Sequence, residues 1–180
     1  MGVTLECLKA MMPASTISLA VKLITGAEAF RNNAYPDPLR GWATPTIGYG
    51  TTRYPNGHRV AKGDTCTEEQ AMAWLRSTIE RTILPEMEFI PTWRRMTPNQ
   101  KAAVISFAYN LGWHFYGNVP AFTQITLLLG QPQRWGDAAD VKHVFSLYRN
   151  PGSSVEPGLK RRRALEAALF CTPVPEERHG

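Results

Sequence analysis

The sequence predicts an α+β chain, mainly helical, with a small hairpin-containing lobe feeding a larger helical lobe. Three observations predict it. Apolar residues recur at helical spacing from Ile17. An alternating stretch rich in β-formers and an Asn56-Gly57 turn come next. Two capping sequences, Thr67-Glu68-Glu69-Gln70 and Thr97-Pro98-Asn99-Gln100, then open further helices. With 180 residues, 43% of them hydrophobic, the chain can bury a core as one domain or two small lobes.

The first helix has Ser15 or Thr16 as its N-cap, with Pro13 just ahead. Ile17, Ala20, Val21 and Ile24 stand at i, i+3, i+4 and i+7, so they share one face. Extending that stripe reaches Ala27 and Glu28. Burial of a glutamate disfavours its charged form, and a carboxyl that keeps its proton near neutral pH can act as a general acid. The competing reading is a helix-end glutamate turned to water.

Tyr35-Pro36-Asp37-Pro38 reads as a turn, in which Asp37 taken alone is a turn former. Residues 38–45 read as a loop, and Thr46 to Gly50 as a strand. Asn56-Gly57 reads as a hairpin turn between RYP and HRV. Glu28, Asp37 and Thr46 follow one another at intervals of nine residues, in the order helix, loop, strand. Two carboxylates placed by different elements around a cleft are what glycosidic bond cleavage requires.

Lys62-Gly63-Asp64 is a turn before the helix capped by Thr67. Ala71, Trp74, Leu75, Thr78 and Ile79 give that helix one apolar face, and Pro85 follows its end. The helix from Pro98 through Leu111 is apolar nearly all round, which predicts the buried centre of the larger lobe. In the last helix Leu159, Leu165 and Leu169 mark an apolar face, and Arg162 falls on it. A buried guanidinium must be paired. Arg163 takes that place if the register slips by one, whereas Lys160 and Arg161 suit a solvated basic face. The tail CTPVPEERHG reads as frayed.

The formal charge of +5 and a pI near 9.3 favour anionic partners: wall polymers, nucleic acid or acidic lipid. No nucleic-acid-binding motif accompanies the charge. Cys7, Cys66 and Cys171 show neither metal-ligand spacing nor a disulfide framework, and free thiols suit a reducing cytoplasm. His58, His114, His143 and His179 are scattered and read as surface or loop residues. MGVTLECLKAMMPAST lacks a signal-peptide pattern, because Glu6 and Lys9 interrupt its apolar residues. Met1 to Met12 read as a loose or short helical leader. No stretch approaches the roughly twenty apolar residues of a membrane span.

In four ordered segments the chain resembles the phage-type lysozymes, the endolysins of glycoside hydrolase family 24. Glu28, Tyr35-x-Asp37 and Thr46-Ile47-Gly48-x-Gly50 are similar to the family's active-site segment. SFAYNLG (106–112) resembles its helix on the far side of the cleft. PAFTQITLLL (120–129) and RWGDAA (134–139) keep the family's order, and GLKRRRALEAALF (158–170) resembles its closing helix.

The resemblance implies a lysozyme-like fold with the cleft between the two lobes. The first helix and small β lobe would occupy residues 15–66, the connecting helix 67–85, the helical lobe 97–170 and the tail 171–180. It implies a muramidase that cuts the β-1,4 bond between N-acetylmuramic acid and N-acetylglucosamine in peptidoglycan. Glu28 would be the general acid, Asp37 would stabilise charge and hold water with Thr46, and the anomeric centre would invert. Tyr35 and Asn110 would contact substrate, as could Trp42, although aromatic residues near a turn as often pack. Arg162 would brace Glu28. The resemblance implies no cofactor, no stable membrane insertion, a monomer, and holin-dependent release from the host cytoplasm to the wall in the periplasm. Two features depart from many relatives: extra residues in the 38–45 loop, and Thr51 where histidine is frequent. A lytic transglycosylase, which uses one acid and no water, is an alternative. So is a non-catalytic wall-binding protein on the same scaffold.

Overall fold

Helix α1 (Pro13–Ala27) buries Ile17, Ala20, Val21 and Ile24, the four residues that helical spacing put on one face. A final backbone bond from Glu28 N to Ile24 O, 2.9 Å, fixes Glu28 at its C-terminal edge. The structure is a computed structural model that describes residues 13–174. The leader Met1 to Met12, Cys7, His179 and the last six tail residues lie outside the described residues. The helix is already formed at Pro13, so Ser15 and Thr16 lie within it and do not cap it. Proline is readily accepted in a first turn, where its missing N–H has no intrahelical partner to lose.

Strands β1 (Arg31–Asp37) and β2 (Gly41–Gly48) form an antiparallel hairpin, with Tyr35 opposite Thr46 and Asp37 opposite Gly41. Two local expectations change here. Tyr35, Pro36 and Asp37 are strand, and most of the 38–45 loop is the start of β2. Prolines 36 and 45 lack a ladder donor, yet they face each other in the hairpin. Register irregularities before Tyr35 and after Pro36 accommodate them. The reversal falls on Pro38–Arg40, closed by Asp37 Oδ1, which accepts from Leu39 N at 2.9 Å and Arg40 N at 2.8 Å. The Asn56-Gly57 turn forms, with Gly57 at φ +86°, but a single Arg53–Arg59 bridge flanks it where two strands were expected. Pro55 sits inside that turn, which Gly57 N closes onto Tyr54 O at 2.9 Å.

Gly48 ends β2 at φ +64°, and a Cβ there would lie 2.7 Å from Ala71 Cβ. The hairpin therefore meets the next helix backbone to side chain. Gly48→Ala incurs both left-handed strain and overpacking, about 2–4 kcal/mol together. Thermal denaturation is expected to show a melting temperature lower by on the order of 10 °C. A shift under about 2 °C would mean that the contact yields freely.

Helix α2 (Glu68–Thr78) carries the Thr67/Gln70 capping box. Pro85 does not end this rod. A π-turn over Ile79–Ile83 carries it into α3 (Leu84–Met87), with Leu84 N bonded to Ile79 O. The widened turn lets the rod continue to a proline that cannot donate. Ala71, Leu75, Ile79, Ile83 and Met87 line its buried side.

Helix α4 (Pro98–Leu111) has the Thr97/Gln100 capping box and buries every residue from Ala102 to Ala108. It packs against α1 and against α7 (Glu156–Phe170). Phe107 stands at the centre of an aromatic cluster, with ring centroids 5.1 Å from Phe115, 5.7 Å from Phe145 and 5.1 Å from Tyr148. Helices α5 (Thr123–Gly130) and α6 (Ala138–Ser146), the latter capped by Asp137, complete the helical part.

The leucines of α7 mislead about which side is buried. Leu165 is 49% exposed, and the buried face is Arg162, Arg163, Glu166, Ala167 and Phe170. Charged residues can occupy the inner face because they pair with one another.

The molecule is thus mainly helical with one two-stranded antiparallel hairpin, the α+β class read from the sequence. Cys66 and Cys171 are free thiols. Among the described residues no His/Cys/Asp/Glu group could hold a metal, and no helix is long and apolar enough to cross a membrane.

Candidate active site

Glu28 leaves the apolar stripe of α1 half-buried, its side chain 31% exposed. It is neither sunk in the core nor turned fully to water. Arg162 Nη1, from the far end of the chain, donates to Glu28 Oε1 at 2.5 Å. Glu28 Oε2 accepts no hydrogen bond from the described residues. One oxygen is held and the other is available.

Arg162 is held in turn. Its Nε donates to Glu166 Oε1 at 3.2 Å, and its Nη2 donates to the Ser106 carbonyl at 3.1 Å. A guanidinium presents its donors in a rigid fork, so three partners in different directions fix its plane. Ser106 Oγ donates to Glu166 Oε1 at 2.7 Å, and Arg163 Nη2 donates to the same oxygen at 2.9 Å. Burial pushes the Glu166 carboxyl above its ordinary range, while the two guanidinia and the Ser106 hydroxyl pull it down. Burial also lowers the Arg163 guanidinium to about 10, opposed by Glu166.

The hairpin brings a second set of candidate residues near Glu28. Tyr35 and Thr46 are directly cross-strand, so their side chains share one face. Thr46 is buried, and its hydroxyl donates to Thr44 O at 3.2 Å. Asp37 ends β1 two residues beyond Tyr35, past the register irregularity, and its carboxylate is near enough to act on the Tyr35 phenol. Its Oδ1 is committed to the turn, which fixes the carboxylate. Burial pushes the half-buried Tyr35 phenol up, and the nearby Glu28 and Asp37 carboxylates add to the rise against Arg31. Tyr35 thus senses both carboxylates.

The remaining residues divide. Asn110 Oδ1 accepts from Arg163 Nη2 at 3.1 Å, so its amide NH2 is the free end. Trp42 is exposed on the hairpin, with Lys62 Nζ 5.2 Å from its ring centre. Tyr109 was not singled out by the sequence. Its phenol donates to Tyr49 O at 2.8 Å, tying α4 to the end of the hairpin. Burial raises the Tyr109 phenol strongly, and Glu28 and Tyr35 add to the rise while a Thr51 hydrogen bond and Arg162 oppose it. Ser106 and Glu166 fall inside the matched segments but were given no role from sequence. Their signal is a polar residue inside an otherwise apolar helix, and a glutamate one turn after two arginines.

A cavity of about 330 Å³ opens past the end of α4, lined by Leu111, Trp113, His114 and Phe122 among others. Another of about 470 Å³ lies beside Tyr54, Asp64 and Trp74 and touches none of the candidate catalytic residues.

Known proteins match in the same terms. An endolysin from Acyrthosiphon pisum secondary endosymbiont phage 1 is 34% identical over 152 residues, 82% of this chain and 92% of that protein. A crystal structure of a P22 lysozyme mutant superposes with a TM-score of 0.60 at 25% identity, covering 86% of this chain and 97% of that one. The muramidase domain of SpmX from Asticaccaulis excentricus gives 0.57 at 27% identity, over 86% and 95%. Residues 25–166 match the phage lysozyme family, a span that runs from the end of α1 through Arg162 to Glu166, and the chain belongs to that family.

Proposed function

We propose that Glu28, Asp37 and Thr46 hydrolyse the β-1,4 bond between N-acetylmuramic acid and N-acetylglucosamine in bacterial peptidoglycan. The chain is an endolysin-type lysozyme by family, so the reaction class is hydrolysis. The observation that carries the assignment is the half-buried Glu28, with one oxygen held by Arg162. A carboxyl fixed at one oxygen presents the other, with its proton, to the glycosidic oxygen. As the bond to the anomeric carbon breaks, positive charge grows on the sugar ring. Asp37, fixed by its turn, stabilises that charge. Asp37 and Thr46 hold a water that attacks from the opposite face, and its proton passes to Asp37. Inversion follows, and it calls for carboxyls about 6.5–9.5 Å apart. Tyr35 and the free amide of Asn110 contact the sugars.

Arg162 acts through Glu28 and is a positioning residue. No cofactor enters the scheme. The protein works as a monomer, waits in the host cytoplasm, and reaches the periplasmic wall once a holin opens the inner membrane. The absence of a membrane-spanning helix among the described residues suits this route.

Mass spectrometry of purified peptidoglycan after digestion tests the reaction. Reducing N-acetylmuramic acid ends are expected. Ends lighter by one water would mean a lytic transglycosylase and remove the task given to Asp37 and Thr46. A folded protein that leaves several walls uncut would make it a binding scaffold.

A further inference from the structure

Glu166 lies at the centre of a fully buried ionic cluster, and the scheme above gives it no task. It is 0% exposed, with Arg162 and Arg163 on its own helix and Ser106 across from it on α4. Its Oε1 gathers three donors: Arg162 Nε, Arg163 Nη2 and Ser106 Oγ. Arg163 Nε lies 2.8 Å from Glu166 Oε2 but not along the N–H direction, and Arg163 Nη1 has no partner among the described residues. With Glu166 ionised between its two arginines, two guanidinia and one carboxylate leave one net positive charge next to Glu28.

That balance matters for a general acid. A cation beside a carboxyl favours the ionised form, and an ionised Glu28 has no proton to deliver. Arg162 must be close to hold Glu28 Oε1, and Arg163 is near enough for its charge to interact with Glu28 as well. Without the Glu166 carboxylate, two uncompensated guanidinia would face Glu28. We propose that Glu166 is a positioning residue that cancels one of them, so that Arg162 fixes Glu28 without ionising it. The proposal rests on the reading of Glu28 as general acid. Tyr35 of β1 and Tyr109 of α4 also lie within reach of the Glu28 charge, and Arg31, 6.0 Å from the centre of the Tyr35 ring, is a further cation on β1. The two phenols carry no positive charge, and Arg31 is unchanged in every variant below, so it does not alter the comparison between them.

The test uses Glu166→Gln, Arg163→Met and the double variant in the full chain. Two quantities are read in each: the carboxyl carbon-13 NMR titration midpoint of Glu28, and the alkaline limb of peptidoglycan hydrolysis. Glu166→Gln unbalances both arginines and is expected to lower the midpoint and the limb by about one pH unit. Arg163→Met removes one cation and raises both by a similar amount. The double variant restores the net charge and returns both to within about 0.3 of wild type. A merely structural Glu166 would lower activity at every pH and leave the midpoint in place. Should Glu166→Gln fail to fold, the other two variants decide, because Arg163→Met leaves Glu166 paired with Arg162 and Ser106, and the double variant removes a buried pair whole. Unmoved midpoints in an active enzyme overturn the proposal alone. A wild type that leaves peptidoglycan uncut overturns the general-acid reading and this proposal with it.

Discussion

Glu28→Gln is expected to cut peptidoglycan hydrolysis by about 10²–10⁴-fold, the usual contribution of a positioned general acid. The substitution is nearly isosteric. The amide oxygen still accepts from Arg162 Nη1, which keeps a bond now 2.5 Å long in the native protein. Only the transferable proton is lost. The stability cost is small, because Arg162 keeps Glu166 and the Ser106 carbonyl as partners and Glu28 is 31% exposed. Assays on purified walls, paired with circular dichroism melts, check both halves. Retention of more than about a tenth of the wild-type rate would remove Glu28 from the acid role.

Arg162→Leu is expected to lose both stability and activity. Arg162 is 3% exposed and connects Glu28, Glu166 and Ser106. Its removal leaves Glu166 buried against Arg163 and Ser106 alone. Breaking a buried ionic cluster from one side costs about 3–5 kcal/mol. For a chain of this size that lowers the melting temperature by on the order of 10 °C. Hydrolysis falls further than stability explains, since Glu28 loses the contact that sets its rotamer. Arg162→Lys restores the charge but cannot reach three partners with a fork, so it recovers only part of either loss. A melt within about 3 °C of wild type would show that the fold does not depend on the cluster.

The elements of this fold were legible where short-range rules govern. Both capping boxes and the four-residue face of α1 appear as read, because caps and helical faces depend on residues three and four apart. The hairpin was legible in kind and displaced in place. Asn56-Gly57 is the stronger local turn, yet the two ordered strands meet around Pro38–Arg40. There the Asp37 side chain closes the turn and the pairing is long enough to hold. Pro85 read as a stop, because the π-turn before it leaves no local sign.

Glu28, Asp37 and Thr46 could be singled out as candidates because they lie in one continuous segment whose pattern resembles the family's active-site segment. The burial of α4 was likewise written in its composition. Tertiary structure alone decided that Arg163 and Glu166 join Arg162 on the inner side of α7 while Leu165 turns out. Leucine spacing favours the side bearing Leu165, but the core takes Arg162, Arg163 and Glu166. The reason is pairing at a distance: Arg162 meets Glu28 across 134 residues and Ser106 across 56. The sequence set Arg162 inward and the resemblance paired it with Glu28, but its Ser106 partner and the burial of Arg163 and Glu166 depend on helices that only the folded chain brings together.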